Sequence, residues 1–407
     1  KKYNFPELKK KEKINIGYFS ADFQNHAVGH LISKSIELHD NSKFNVHGFY
    51  FGRKHNKEDR YYLRLKKAFH KYHDVANNTV DEIVNLSREL NIDIAIDLMA
   101  HTGGFENRLD IFLKRCAPIQ INFLGYPGTS GTEKIDYIIA DKNIIEEKDR
   151  KFYFEKIIYL PNSYQPSEKY RYVSDKKFNK NQFNLPDDKF IFCCFNSNQK
   201  ILKDIFNLWV KILKRSPESI LWLLSKNKNF IKNFKNEIEK QNINSDRIIF
   251  SEPIPVEEHL VRIKFADLFL DTFPYNAHTT CSDSIWAGVP VLTKKGKSFH
   301  SRVASSLLKT SDLEELITHS DDEYVEKAVK IANDREYLKH LKEKLNLSRD
   351  TNPLFNSELY TKKLEQAYEN VKEKVGNFPK LFFLNDEDPI FLNTDASNIG
   401  IGAYSYQ

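Results

Sequence analysis

The chain has 407 residues, 40% hydrophobic and 29% charged, with a formal net charge of +6, a composition that suits a folded globular protein long enough for two cores. No run of about 18 apolar residues occurs, and Lys1-Lys2-Tyr3-Asn4-Phe5-Pro6 lacks the apolar segment of a signal peptide, so the expectation is a cytoplasmic protein with no membrane partner. Lysines are spread along the chain, which argues against nucleic acid as a partner, and Cys116, Cys193, Cys194 and Cys281 form no C-x-x-C pair and read as buried thiols.

Residues 1–13 are charged and proline-broken and read as a linker; a first residue other than Met suggests a piece of a longer protein. An apolar strand is predicted at 14–20, followed by a polar loop through His26 and His30 into a helix carrying Leu31, Ile32 and Ile36. A strand at 44–51, a helix at 80–90 and strands at 92–98, 117–124 and 137–141 continue the alternation. The glycines of Gly125-Tyr126-Pro127-Gly128-Thr129-Ser130-Gly131 either bend the chain toward a ligand or make a tight turn. Residues 161–184 are polar and weakly periodic, which places a domain boundary there.

The second half repeats the rhythm. Strand 190–195 leads through Asn196-Ser197-Asn198-Gln199-Lys200 to a helix with Leu202, Ile205, Phe206, Trp209, Ile212 and Leu213 on one face. Strands at 220–224, 247–250, 267–271 and 289–293 follow, with helices between them and a last helix at 358–374. Strands alternating with helices imply an α/β architecture with parallel, doubly wound sheets, here with five strands in the second half. The resulting division is a linker at 1–13, domains at 14–165 and 185–350, a C-terminal helix at 351–375 and an extraneous tail at 376–407.

The stretch from Asp271 to Asp283 passes from an apolar strand to a helix, with His278, Thr279 and Thr280 at the junction. A helix start offers unpaired amides and the positive end of the dipole to an anion; a Thr there is equally a plain N-cap. Lys200 supplies a cation at the matching place after strand 190–195, and Asp283 suits either a ribose hydroxyl or the helix dipole. His259 opens a helix, where spacing favours a surface position. His26 and His30 share the i,i+4 spacing of a zinc motif, but Ala27 stands where that motif needs Glu and no third ligand follows, so no metal is expected. Neither G-x-x-x-x-G-K-[ST] nor G-x-G-x-x-G after the first strand is present, which argues against the common ATPase and dehydrogenase classes.

Five ordered motifs resemble the O-GlcNAc transferase (SPINDLY-like) glycosyltransferase family over about residues 14–375. They are Ser20-Ala21-Asp22-Phe23 with His26 and His30; Arg115-Cys116-Ala117-Pro118-Ile119-Gln120 with the glycine-rich turn; Phe195-Asn196 with Lys200; Glu257-Glu258-His259; and His278-Thr279-Thr280 with Asp283 and Trp286-Ala287-Gly288. The resemblance implies a GT-B fold, two Rossmann-like doubly wound domains facing a central cleft, in an inverting, metal-independent transferase. Its donor would be a UDP-sugar, UDP-GlcNAc, used as substrate with no cofactor, and its acceptor a protein Ser or Thr hydroxyl. By position, Lys200 would neutralise the leaving diphosphate and His278, Thr279 and Thr280 would hold it. Asp283 would bind the ribose, Arg262 the uracil, His259 would line the nucleotide pocket, and His26 would lie beside the reacting hydroxyl.

Three departures bear on the donor. Animal members read Phe-Asn-Gln-x-Tyr-Lys where this chain has Phe195-Asn196-Ser197-Asn198-Gln199-Lys200, a lysine before Glu-Glu-His is Val256 here, and the long insertion between the domains is absent. GDP-fucose or another UDP-sugar, another acceptor, and a catalytically silent nucleotide-binding module therefore remain open. The tetratricopeptide repeats of the family are missing as well. Residues 388–407, with Asp395, resemble the start of a retroelement ribonuclease H domain, whose paired metals one carboxylate cannot hold.

Overall fold

The computed structural model describes residues 12–52 and 58–376, and the backbone of two strands, Thr394–Ser397 and Gly400–Ala403. In the first half, β1 (Ile14–Ser20), β2 (Phe44–Tyr50), β3 (Lys71–Asp74), β4 (Ile94–Asp97), β5 (Ile119–Asn122), β6 (Tyr137–Ala140) and β7 (Lys156–Tyr159) form one sheet, ordered β3-β2-β1-β4-β5-β6-β7. In the second, β8 (Phe190–Cys194), β9 (Ser219–Leu224), β10 (Ile248–Ser251), β11 (Leu268–Leu270), β12 (Val291–Lys294) and β13 (Ile317–Thr318) are ordered β10-β9-β8-β11-β12-β13. All pairings in both sheets are parallel. Parallel strands need crossovers, and the crossing helices cover both faces, so β4, β5 and β8 are buried along their whole length; β8 reads as an apolar run, while β5 buries Gln120 and Asn122.

Each half winds outward from its first strand and then returns to that strand's other side, at β4 and at β11. Ligands in such sheets bind beyond the carboxyl ends at this reversal. The segments leaving those ends are residues 21–26 after β1, 195–200 after β8 and 271–278 after β11.

Several elements depart from the sequence pattern. The second sheet has six strands, not five, and helices Val303–Thr310, Asp321–Asn333 and Arg335–Ser348 complete that half. Strands β3 and β7 lie at the edges of the first sheet and carry no fully buried residue, which weakens their apolar signal. Helix Arg60–Ala68 carries Arg60, Arg64, Lys66 and Lys67 among its nine residues and starts where Asp59 Oδ1 accepts the Tyr62 N–H at 2.8 Å. Leu202, expected on an apolar face, is the N-cap residue of helix Lys203–Arg215 and 47% exposed. In the glycine-rich turn a Cβ on Gly125 would lie 1.8 Å from the Leu98 carbonyl oxygen, so this glycine serves close backbone packing.

The connection between the sheets is not a loose tether. Residues 163–168 are buried, and the segment is bonded to both halves: Tyr164 N–H donates to Asp141 Oδ2 at 2.9 Å, and Gln165 Nε2 donates to Ser282 Oγ at 3.2 Å. Asp141 Oδ2 also accepts from Ser306 Oγ at 2.7 Å, and Arg302 reaches the Ile144 carbonyl and Asp149, forming a seam between the halves. After the second sheet, helix Ser357–Gly376 returns to the first half. There His39 lies between Glu365 Oε1 (3.0 Å) and the Tyr18 hydroxyl (2.8 Å). A carboxylate only accepts, so His39 Nδ1 donates to Glu365.

Thr394–Ser397 pairs antiparallel with Gly400–Ala403. Residues 388–393, 398–399 and 404–407 of the ribonuclease-H-like stretch, and residues 1–11 of the linker, lie outside the described residues.

Candidate active site between the two sheets

The site is organised by a buried carboxylate at the end of β11. Asp271 is fully buried, and its Oδ1 accepts from the Thr272 N–H (2.7 Å), the Ala277 N–H (2.6 Å) and Asn196 Nδ2 (3.3 Å), while Oδ2 accepts from Thr293 Oγ1 (2.6 Å). These bonds fold residues 271–277 into a closed loop, which Thr272 Oγ1 to Tyr275 O (2.8 Å) and Asn276 Nδ2 to Thr272 O (2.9 Å) tighten. The loop delivers the chain to helix Thr279–Trp286 with His278 as N-cap residue, making no side-chain cap bond. The first amides of that helix have no partners within it, and its dipole adds positive potential. Burial pushes the Asp271 carboxyl up to about 7, with its donors and Lys200 opposing.

Lys200, in the 3-10 turn Asn198–Lys200 after β8, donates from Nζ to the Asn276 carbonyl at 2.8 Å and lies 4.1 Å from the centre of the Tyr275 ring. Burial lowers its pKa, and nearby Asp271 resists that. A partly desolvated ammonium facing a helix start stabilises an incoming anion more strongly than an exposed one does.

Asn196 links the two segments: Nδ2 donates to Thr272 Oγ1 at 2.8 Å, and Oδ1 accepts from Thr280 Oγ1 at 2.6 Å. The Thr280 hydroxyl proton is therefore engaged, and what Thr280 offers an anion is its backbone N–H. His278 lies with Nε2 3.2 Å from the His300 carbonyl. Burial, then Lys200, hold it near pKa 3, so the neutral ring donates from Nε2 and presents Nδ1 as an acceptor. Only the protonated ring could donate from both nitrogens.

His259 is a correction to the surface position favoured by spacing. It is 9% exposed, meets Phe195 edge-on at 5.0 Å, and accepts on Nδ1 from Arg262 Nε at 3.0 Å. Burial, Arg262 and Arg171 hold its pKa near 3. Arg262 is 1% exposed and donates from Nη1 to the Glu252 carbonyl at 2.7 Å; in this arrangement it orients the imidazole. Asp283 is buried and paired with Arg171 Nη1. The sequence pattern places Asn196 and Asp271 in these segments but gives them no bonding role, and it does not single out Arg171.

In the first half, His26 is the exposed N-cap residue of helix Ala27–Glu37. Its Nδ1 is 3.3 Å from the Val28 N–H and 3.4 Å from Asp22 Oδ2; the neutral ring accepts the first and the protonated ring donates to the second. His30 bonds Asn25 Oδ1 at 2.7 Å and packs on Tyr61 at 4.3 Å. Tyr126, after β5, is near enough to Tyr275 to add to the rise that burial gives the Tyr275 hydroxyl. Among the described residues, no hydrogen bond or ion pair joins His26 to the cluster around Asp271; its partners are Val28 N–H and Asp22. Among the described residues no group of three His, Cys, Asp or Glu side chains is arranged to hold a metal ion, and the four cysteines are free and buried.

The neutral histidines predict acid lability. His30, His259 and His278 are held near pKa 3, His47 and His73 near 4, all from an ordinary 6.5, with burial the largest cause each time. Below about 6.5 the unfolded chain takes up protons that the folded chain refuses, so stability falls as pH drops. Asp271, near 7, Asp97, near 6, and the raised Asp22, Asp136 and Asp141 act in the opposite sense, five groups against six histidines once the lowered His300 is counted. The melting temperature should decrease from pH 7 to pH 5 by scanning calorimetry; a flat or rising profile would contradict this assignment of neutral rings.

The family model for glycosyl transferase family 41 matches residues 1–174 and 177–364. The chain belongs to this family. A probable UDP-N-acetylglucosamine-peptide N-acetylglucosaminyltransferase, SEC, of Arabidopsis thaliana is 36% identical over 363 residues, 88% of this chain and 37% of that protein. The UDP-N-acetylglucosamine-peptide N-acetylglucosaminyltransferase of Caenorhabditis elegans is 25% identical, covering 87% of this chain and 40% of its own. The chain thus spans well under half the length of these relatives. A mutant of the Thermobaculum terrenum O-GlcNAc transferase superposes with a TM-score of 0.83 at 26% identity, covering 92% of this chain and 70% of that one. Anabaena HepE, solved with UDP and glucose, has a TM-score of 0.57 at 10% identity and shows the shared fold alone. The family 41 member described here therefore has the GT-B fold, two parallel-sheet α/β domains. No helix among its described residues is long and apolar enough to cross a membrane.

Proposed function

We propose that this chain is the catalytic region of a cytoplasmic, inverting glycosyltransferase that moves N-acetylglucosamine from UDP-GlcNAc to Ser or Thr hydroxyls of proteins. The observation that carries the reading is the start of helix Thr279–Trp286 beside buried Lys200, held by the Asp271 loop. The names of the relatives support the donor and the peptide acceptor.

In the proposed reaction the acceptor oxygen attacks the anomeric carbon from the face opposite the diphosphate. The C–O bond to the diphosphate breaks, and the hydroxyl proton passes to a base on the acceptor wall, where His26 stands beside Asp22. Negative charge grows on the leaving diphosphate in an oxocarbenium-like transition state. Lys200 and the amides of Thr279 and Thr280 lie ready to stabilise it, so this chemistry asks for no metal and no cofactor besides the donor. His259, oriented by Arg262, would line the base pocket, with Asp283 at the ribose.

A transfer assay tests this with radiolabelled UDP-GlcNAc and GDP-fucose on serine- and threonine-containing proteins. Label from UDP-GlcNAc should appear on protein. Transfer from GDP-fucose in its place would overturn the donor, and nucleotide binding without transfer from either would leave a nucleotide-binding module.

A further inference from the structure

Arg171, the buried ion-pair partner of Asp283, has no role in the reading above. The side chains are 9% and 6% exposed. Removing two charges from water costs several kcal/mol per ion unless the surroundings satisfy them fully, so such a pair is weak as a stabilising device. Among the described residues, the hydrogen-bond partner of Arg171 is Asp283, reached through Nη1. A guanidinium has five N–H donors in a fork that matches phosphate oxygens.

Its position is held firmly. On one side of Arg171, the Lys169 carbonyl accepts from Trp286 Nε1 at 3.1 Å; on the other, the Ser174 N–H donates to the Glu257 carbonyl at 3.1 Å. Trp286 belongs to helix Thr279–Trp286 and Glu257 to helix Val256–Arg262, which carries His259. Arg171 is thus pinned between the two helices that form the candidate nucleotide site. Asp283 is four residues after Thr279 and three after Thr280, so it shares their helix face about one turn, roughly 5 Å, from the helix start. The field of Arg171 also reaches His259 and His30, lowering both. Glu168, the other acid of this segment, is taken by Arg64, which meets it through Nη1 at 2.9 Å and Nη2 at 2.7 Å.

We infer that Arg171 is a donor-binding residue that works by exchanging partners: a bound nucleoside diphosphate takes the guanidinium, and the freed Asp283 carboxylate accepts the ribose hydroxyls. The exchange rests on the sugar-nucleotide reading given above. It makes the ribose acceptor available only when a diphosphate is present, so a nucleoside lacking phosphates must open the ion pair uncompensated and binds weakly.

The test is calorimetric titration of wild type, Arg171→Lys and Arg171→Gln with UDP and with uridine. In wild type, UDP should bind far more tightly than uridine. Arg171→Gln should weaken UDP about tenfold or more while uridine affinity stays level or improves, because Asp283 is no longer engaged. Arg171→Lys should lower the UDP-to-uridine ratio by less. A fall of equal proportion for both ligands, or for neither, overturns the exchange. Should Arg171→Gln fail to fold, an unchanged ratio in Arg171→Lys overturns it, and a reduced ratio supports it. Wild type that binds neither ligand overturns the sugar-nucleotide reading itself, an outcome distinct from wild type that prefers UDP by a ratio the variants leave intact.

Discussion

Replacing Lys200 with alanine is expected to slow transfer from UDP-GlcNAc by about 30- to 1,000-fold, the equivalent of losing about 2–4 kcal/mol of transition-state stabilisation. The folded state should be affected far less. Nζ gives up one hydrogen bond, to the Asn276 carbonyl, and a contact over the Tyr275 ring, while the desolvation that lowers the lysine pKa is relieved at the same time. Those opposing contributions should leave stability within about 1 kcal/mol of wild type. Steady-state kinetics beside a thermal melt separates the two effects. Wild-type turnover in the variant would remove Lys200 from the site, and a melting temperature that collapses with activity would make it a structural residue.

The largest stability effect is expected at Asp271→Ala. Two backbone N–H groups, the Asn196 amide and the Thr293 hydroxyl would lose their common acceptor. A buried donor left without a partner costs about 1–3 kcal/mol, so even partial rescue by water leaves a loss of about 3–5 kcal/mol. At this chain length that corresponds to a melting temperature lower by roughly 5 °C. Asp271→Asn is the informative companion. A carboxyl pushed up to about 7 is partly protonated near neutrality, and an amide imitates that form, keeping one oxygen as acceptor. The Asn variant should lose less than half as much stability as the Ala variant. Equal losses would mean that the negative charge, not the hydrogen-bond geometry, holds the loop.

The parts of this fold legible in the sequence are those whose physics is local. Strands β1 and β8 are apolar because both faces are covered, and their limits follow the apolar runs closely. The handover from β11 to the helix at Thr279 is legible for the same reason, an apolar run followed by hydroxyls and a helical segment. Edge strands β3 and β7 have neighbours on one side only and tolerate polar residues, and two-residue β13 is too short for any periodicity.

Within the site, position along the chain was more legible than side-chain direction. Lys200 and the helix start do converge, linked through Asn276. His259 turned inward because its short helix packs the ring against Phe195, at the end of β8, which spacing within that helix does not reveal. The Thr280 hydroxyl is committed to Asn196, 84 residues away in sequence. Arg171 comes from a stretch without periodicity, and its burial arises from contacts to a helix 112 residues further on. Only tertiary structure brings such pairs together.

The central claim is that the start of helix Thr279–Trp286, with Lys200, is the diphosphate cradle. A crystal structure of the protein with UDP tests it most directly. The claim predicts diphosphate oxygens within hydrogen-bond distance of the backbone N–H groups of Thr279 and Thr280 and of Lys200 Nζ. UDP bound with its diphosphate away from that helix start would contradict it.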